Sequence, residues 1–179
     1  MRGRRRYWRS VAALAIALPT AIAVHSWESF HDWLAQNGGP PTVVEKGQAG
    51  AYSGAEWRLV NLRRLPGSSD DARVVLVEFE AALDNPASFA ENPCTVRLTD
   101  KMGRLWDPVF LTESIVRKTY PEAADKPRCN AAALTSAGKG ARLAMAESFI
   151  VPASARDLAL RVEVMNSRPE SLLLRSPEP

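Results

Sequence analysis

Between Arg73 and Leu83 the chain alternates. Val75, Val77, Phe79 and Ala81 fall on one side of an extended segment, and Glu78 and Glu80 fall on the other. Period two of this kind predicts a strand with one buried face and one wet face. The pattern returns in Cys94–Thr99, with Val96 and Leu98 inward and Thr95, Arg97 and Thr99 outward. It returns again in Leu158–Met165, where Leu158, Leu160, Val162 and Val164 face in and Arg161 and Glu163 face out. Weaker strand signals lie at Thr42–Val44, Trp57–Leu65, Leu105–Trp106 and Arg142–Val151, with Ser171–Arg175 as a last edge strand. Gly67–Asp71, Asp84–Pro86 and Lys101–Arg104 supply turns. Residues 111–138, rich in Pro, Ala and charge, are the least regular stretch. No long helical pattern follows residue 37, so the crossovers of a parallel α/β fold are missing. The expectation is all-β: an antiparallel β-sandwich of seven to eight strands over residues 42–179. Trp57, Phe79, Trp106 and Phe149 are its expected bulky core.

Ahead of this domain stands a different kind of segment. Val11–Val24 carries no charge, and the uncharged stretch from Ser10 to Trp27 gives roughly eighteen residues, near the lower limit for a membrane-spanning helix. Arg2, Arg4, Arg5, Arg6 and Arg9 precede it. Arginines on one flank keep that flank in the cytoplasm, so the bulk of the chain is expected outside. Residues 1–10 then read as a basic cytoplasmic tail, 11–27 as a transmembrane anchor, and 28–41 as a juxtamembrane helix with a Gly/Pro linker. Trp27, Phe30 and Trp33 suit the outer membrane interface. The rival reading is a signal peptide cut between Ala23 and Val24, after the Ala21-Ile22-Ala23 site. The run Arg4–Arg9 also has a faint twin-arginine character. The anchor is the preferred reading, with the protein in the cell membrane and its C-terminal domain extracytoplasmic.

The charge balance follows the same division. The whole chain is +3 at neutral pH, with 23 basic and 20 acidic residues. The five N-terminal arginines account for the excess, and what remains is slightly acidic. A basic nucleic-acid-binding domain is therefore not expected. His25 and His31 both lie beside the anchor, six residues apart, and no histidine follows. Ser–His–Asp and Cys–His chemistry in residues 42–179 has no base. No phosphate loop, dinucleotide-binding glycine motif or GxSxG is present. The acids sit at outward strand positions (Glu78, Glu80, Glu163) or in turns (Asp70, Asp71, Asp100), where solvated charge is the ordinary expectation. Asp70-Asp71 is read as a hairpin tip, with weak cation binding as the sharper alternative. No catalytic residue, metal, cofactor or small-molecule substrate is indicated.

Cys94 and Cys129 are the only cysteines, and both fall on the exported side. Thiols there are usually oxidised, so a Cys94–Cys129 disulfide is expected, stapling the irregular stretch to the Cys94–Thr99 strand.

Several features together resemble a known family. They are the arginine-led anchor, the Trp-containing juxtamembrane segment, Trp57-Arg58-Leu59-Val60, Cys94-x-Val96-x-Leu98, Gly103-Arg104-Leu105-Trp106-x-Pro108 and Phe149-Ile150-Val151-Pro152 ahead of Leu158-Ala159-Leu160-Arg161-Val162. The chain resembles the membrane-anchored, immunoglobulin-like (telokin-like) extracytoplasmic proteins of actinobacteria. The resemblance implies a surface sandwich facing the cell wall and carries no catalytic residue. The expected function is a non-enzymatic, membrane-tethered module that binds a protein or cell-envelope partner through edge strands and the 111–138 insertion. An accessory subunit or carboxylate-dependent enzyme acting on envelope carbohydrate is the alternative. A secreted soluble binder is another.

Overall fold

In the computed structural model the described residues are 41–45, 47–167 and 171–175, together with Ala15, Pro19, Thr20 and Trp27, which are helical. The chain divides into two units, Met1–Gly39 and Pro40–Pro179. No helix among the described residues is long and apolar enough to cross a membrane. Apart from those four helical positions and Pro41, the expected anchor and juxtamembrane helix lie outside the described residues, as do His25, His31, Phe30 and Trp33.

The second unit is mostly β and holds two sheets. One has the order β1 (Thr42–Val44), β9 (Leu172–Arg175), β8 (Ala159–Val164), β5 (Cys94–Thr99), β6 (Leu105–Trp106). The other runs β2 (Ala49–Tyr52), β3 (Ala55–Pro66), β4 (Ala72–Leu83), β7 (Arg142–Pro152). Both sheets contribute to a single core, in the manner of a sandwich: Trp57, Phe79 and Phe149 from one, Leu98, Leu160 and Leu174 from the other. Burial of these large side chains, worth about 1.5–3 kcal/mol each, is what holds the layers together. Trp57, Phe79 and Phe149 occupy the core as expected. Trp106 is half-buried at its rim, because β6 is a two-residue edge strand.

Four features differ from the sequence expectation. Among the described residues there are nine strands, since Ala49-Gly50-Ala51-Tyr52 forms a strand without showing alternation. The pairing is not wholly antiparallel, because β1 runs parallel to β9. That pairing also moves Ser171–Arg175 from the edge to the interior of its sheet. Finally, the irregular stretch contains three short helices: α1 (Ser114–Thr119), α2 (Pro121–Ala124) and α3 (Ala131–Ser136). Pro121 opens α2 at a position that needs no amide donor. The Asn130 side chain caps α3 by accepting the Ala133 amide at 2.9 Å.

Two local devices close the sandwich. A bulge between Leu59 and Asn61 shifts the register of β3. Leu62 therefore still faces the core, while Arg63 and Leu65 turn to the outer face beside Leu76 and Val74. At the other edge, Gly50 of β2 meets Val44 of β1, and a Cβ there would stand 2.3 Å from Val44 Cγ2. Tyr52 ties the same corner, its hydroxyl accepting the Val164 amide of the opposite sheet at 3.3 Å.

Cys94 and Cys129 are bridged, with Cα atoms 5.8 Å apart. In the chain-entropy account, closing a loop of this length contributes about 3–4 kcal/mol. Reduction in a thermal melt should lower Tm by roughly 10 °C. A Tm unmoved by reductant would show that the bridge adds nothing to the folded domain.

Candidate functional site

Part of the outer face of β3 and β4 is not wet. Leu65, Val74, Leu76 and Ala146 form a second small core with Val116 and Ala123, which α1 and α2 supply. Glu78, expected to be solvated, is consequently buried. It accepts from Lys126 Nζ at 2.7 Å on one oxygen and from Arg63 Nη1 on the other. The Arg63 guanidinium also lies 4.7 Å over the Tyr120 ring, a cation–π contact that fixes the α1–α2 corner on the sheet.

Glu163 and Asp100 correct the same expectation. Glu163 is buried on β8 beside Arg161, at 3.0 Å. Asp100 organises its turn: one oxygen accepts the Met102 and Arg104 amides, both at 3.0 Å, and the other accepts Arg104 Nε at 2.8 Å. Gly103 sits at φ +77, which a side chain would resist.

Glu147 has the largest structural reach, and the sequence pattern missed it. It pairs across the sheet with Val77, whose side chain is in the core. A carboxylate is thus aimed inward from the edge strand β7, with its side chain 4% exposed. Arg128 neutralises it, Nε donating at 2.8 Å and Nη2 standing 2.6 Å away. The Cys129 amide donates to its second oxygen at 3.3 Å. Arg128 then reaches outward, Nη1 donating to the Phe110 carbonyl and Nη2 to that of Val109, each at 2.8 Å. The backbone completes the seal. The Ala146 amide donates to Pro127 O at 3.2 Å, and the Val109 amide donates to Ser148 O at 2.8 Å. The insertion thereby covers an edge that would otherwise offer unpaired groups to another chain. On the outside of this clamped loop, Phe110 and Leu111 are 89% and 74% exposed.

A separate cleft of about 690 Å³ opens where the β3–β4 turn meets the β7–β8 connection. Arg64, Arg73 and Arg156 line it, with Asp70 as the one acid of its wall. Arg64 Nη1 and Arg156 Nη1 donate to the same oxygen, Ala155 O, at 2.7 and 2.9 Å. Asp70 does sit in a hairpin turn, as expected. Its neighbours are cations, which opposes the alternative of a cation site. Among the described residues no three His, Cys, Asp or Glu side chains are grouped to hold a metal ion.

No protein-family model matches the chain, and no curated protein matches it. Three solved structures are similar at low level. The yjhA protein from Bacillus subtilis shares 11% identity, over 74% of this chain and 98% of its own, with a TM-score of 0.44. A conserved hypothetical protein from Bacillus anthracis shares 10%, over 71% and 92%, with a TM-score of 0.45. A Staphylococcus aureus protein provisionally described as a lipoprotein shares 11%, over 73% and 90%, with a TM-score of 0.41. No residue role is transferred from them.

Burial alone would raise the Glu78 carboxyl. The Lys126 ammonium and the Arg63 guanidinium outweigh it and hold Glu78 below its ordinary value of 4.5. Asp100 is likewise held below 3.8, the hydrogen bonds from Arg104 and Met102 outweighing burial. A carboxyl depressed by folding contributes stability that is complete above the unfolded pKa and lost as pH falls through the folded one. Tm should therefore be level from neutral pH down to about pH 5 and fall below about pH 4.5. Glu78→Gln should cost roughly 1–2 kcal/mol at pH 7 and make the acid limb shallower. An acid limb identical in Glu78→Gln would show that this carboxylate does not carry it.

Proposed function

We propose that the chain is a membrane-tethered, non-enzymatic binding module, held by residues 11–27 with its immunoglobulin-like domain outside the membrane. The observation that carries the reading is the clamped loop at Phe110 and Leu111. Large apolar side chains left in water on a flexible loop mean little, because a loop can fold them away. Here Arg128 holds both adjoining carbonyls, and Glu147 and the Cys94–Cys129 bridge hold Arg128 and its neighbour in turn. A rigid loop that presents an aromatic and a leucine is pre-organised for a partner, since little conformational freedom remains to be lost on binding. A tether adds to this by raising the effective concentration at the membrane surface. The resemblance to wall-facing extracytoplasmic proteins agrees with this placement.

The test uses the full-length tagged chain in intact cells and a membrane-impermeant, amine-reactive crosslinker. Lys101, Lys118 and Lys139 are exposed and supply the amines. A discrete adduct is expected, reduced at least about tenfold in the Phe110→Ser/Leu111→Ser double variant. Both side chains are exposed, so the variant should retain stability within about 0.5 kcal/mol. No adduct, or an adduct indifferent to the substitutions, contradicts the reading.

A further inference from the structure

The arginine cleft is not used by the binding surface just described, and it shares no residue with it. Its chemistry is unusual for a turn region. Arg64 and Arg156 place two cationic nitrogens on one carbonyl oxygen. Asp70 is the one acid of the wall, which Arg73 and Arg156 also line. Arg73 and Arg156 make no ion pair among the described residues; both are bound only to backbone carbonyls.

The way they are bound decides what they can recognise. Arg73 uses Nη1 for both its contacts, to Asp70 O at 2.9 Å and Ala72 O at 2.7 Å. Arg156 also uses Nη1 for both, to Ala153 O at 2.6 Å and Ala155 O at 2.9 Å. In each case the anchored nitrogen is the same one, and the Nε–Nη2 edge keeps its donors. That edge is the fork that meets two oxygens of one anion side by side. Anchoring through Nη1 also fixes the guanidinium plane, so less side-chain freedom is lost when a ligand arrives. One carboxylate has a single two-oxygen edge and satisfies one fork. A phosphoryl group offers three acceptor oxygens and more charge, and can serve two forks together. The cleft lies within the size range of small-molecule sites, far larger than one ion, which suits a phosphate carried on a larger molecule.

We propose that the cleft between the β3–β4 turn and the β7–β8 connection is a binding site for a phosphoryl group, recognised by Arg73 and Arg156 with Arg64 beside them. The probe is inorganic pyrophosphate, titrated calorimetrically into the full-length chain in phosphatidylcholine discs. Binding is expected to weaken at least tenfold in Arg73→Gln/Arg156→Gln. It should be unchanged in Arg117→Gln/Lys118→Gln, which removes two exposed charges from α1. Asp70→Asn removes the opposing charge and should tighten binding several-fold, a gain that no folding defect can imitate. In phosphatidylglycerol discs, a loss of pyrophosphate affinity that is absent from Arg156→Gln assigns the cleft to a lipid headgroup. Equal affinity in both discs assigns it to a soluble phosphate ester. The proposal is overturned if pyrophosphate does not bind, if the α1 variant weakens it as much as the cleft variant, or if neither the cleft variant nor Asp70→Asn changes it. Those results leave the clamped-loop reading intact, since that reading is tested by a different loss at different residues.

Discussion

A carboxylate on the inner face of an edge strand has to be paired. Left alone, Glu147 would be a buried charge next to Met145 and Phe149, at a cost of several kcal/mol. Arg128 answers it, and the answer determines the path of the chain from Val109 to Cys129. Once Arg128 is placed, its remaining donors hold the carbonyls of Val109 and Phe110. The next residue, Cys129, is thereby brought beside Cys94. The insertion then lies along β7, where Pro127 and Val109 take the edge groups of Ala146 and Ser148. With that side closed, α1 and α2 can cover the outer face of β4 and bury Glu78 with its two cations.

The strands with a period-two pattern were legible because one of their faces had to be apolar. β4, β5 and β8 lie within a residue or so of where alternation placed them, and Val75, Val77, Phe79 and Ala81 are all in the core. The bridge was legible from compartment chemistry. What alternation could not show was whether a polar face would remain wet. Glu78, Glu163 and Asp100 follow the same rule as any outward acid, yet each is buried: Glu78 beside Lys126 from the insertion, Glu163 and Asp100 beside the near neighbours Arg161 and Arg104. The helices of residues 111–138 are short, and their signals are single residues: Pro121 at the start of one, Asn130 capping another. β2 has no alternation to read. The position of β9 depended on a parallel partner forty-two residues from the N-terminus, which no local pattern specifies.

The arginine cleft was illegible for a related reason. Arg64, Arg73 and Arg156 belong to different strands and loops, and only the sheet order brings them to one wall. Asp70 reads in the sequence as a hairpin-tip acid, and no local pattern shows that guanidinium groups line the same wall. The molecule thus offers two surfaces of opposite character. One is a hydrophobic loop made rigid by a buried ion pair; the other is a cationic cleft whose arginines are anchored by their own backbone. Both are held by elements of the same core.

The account stands on the Glu147–Arg128 pair as the lock on the insertion. Native-state hydrogen exchange of the Ala146 and Val109 amides reads that lock directly, because both donate across the seam between β7 and the insertion. The account predicts that they exchange about as slowly as amides of β4, and at least tenfold faster in Glu147→Gln while β3 and β4 keep their protection. Rapid exchange at both amides in the unaltered protein, or protection that survives Glu147→Gln unchanged, would contradict it.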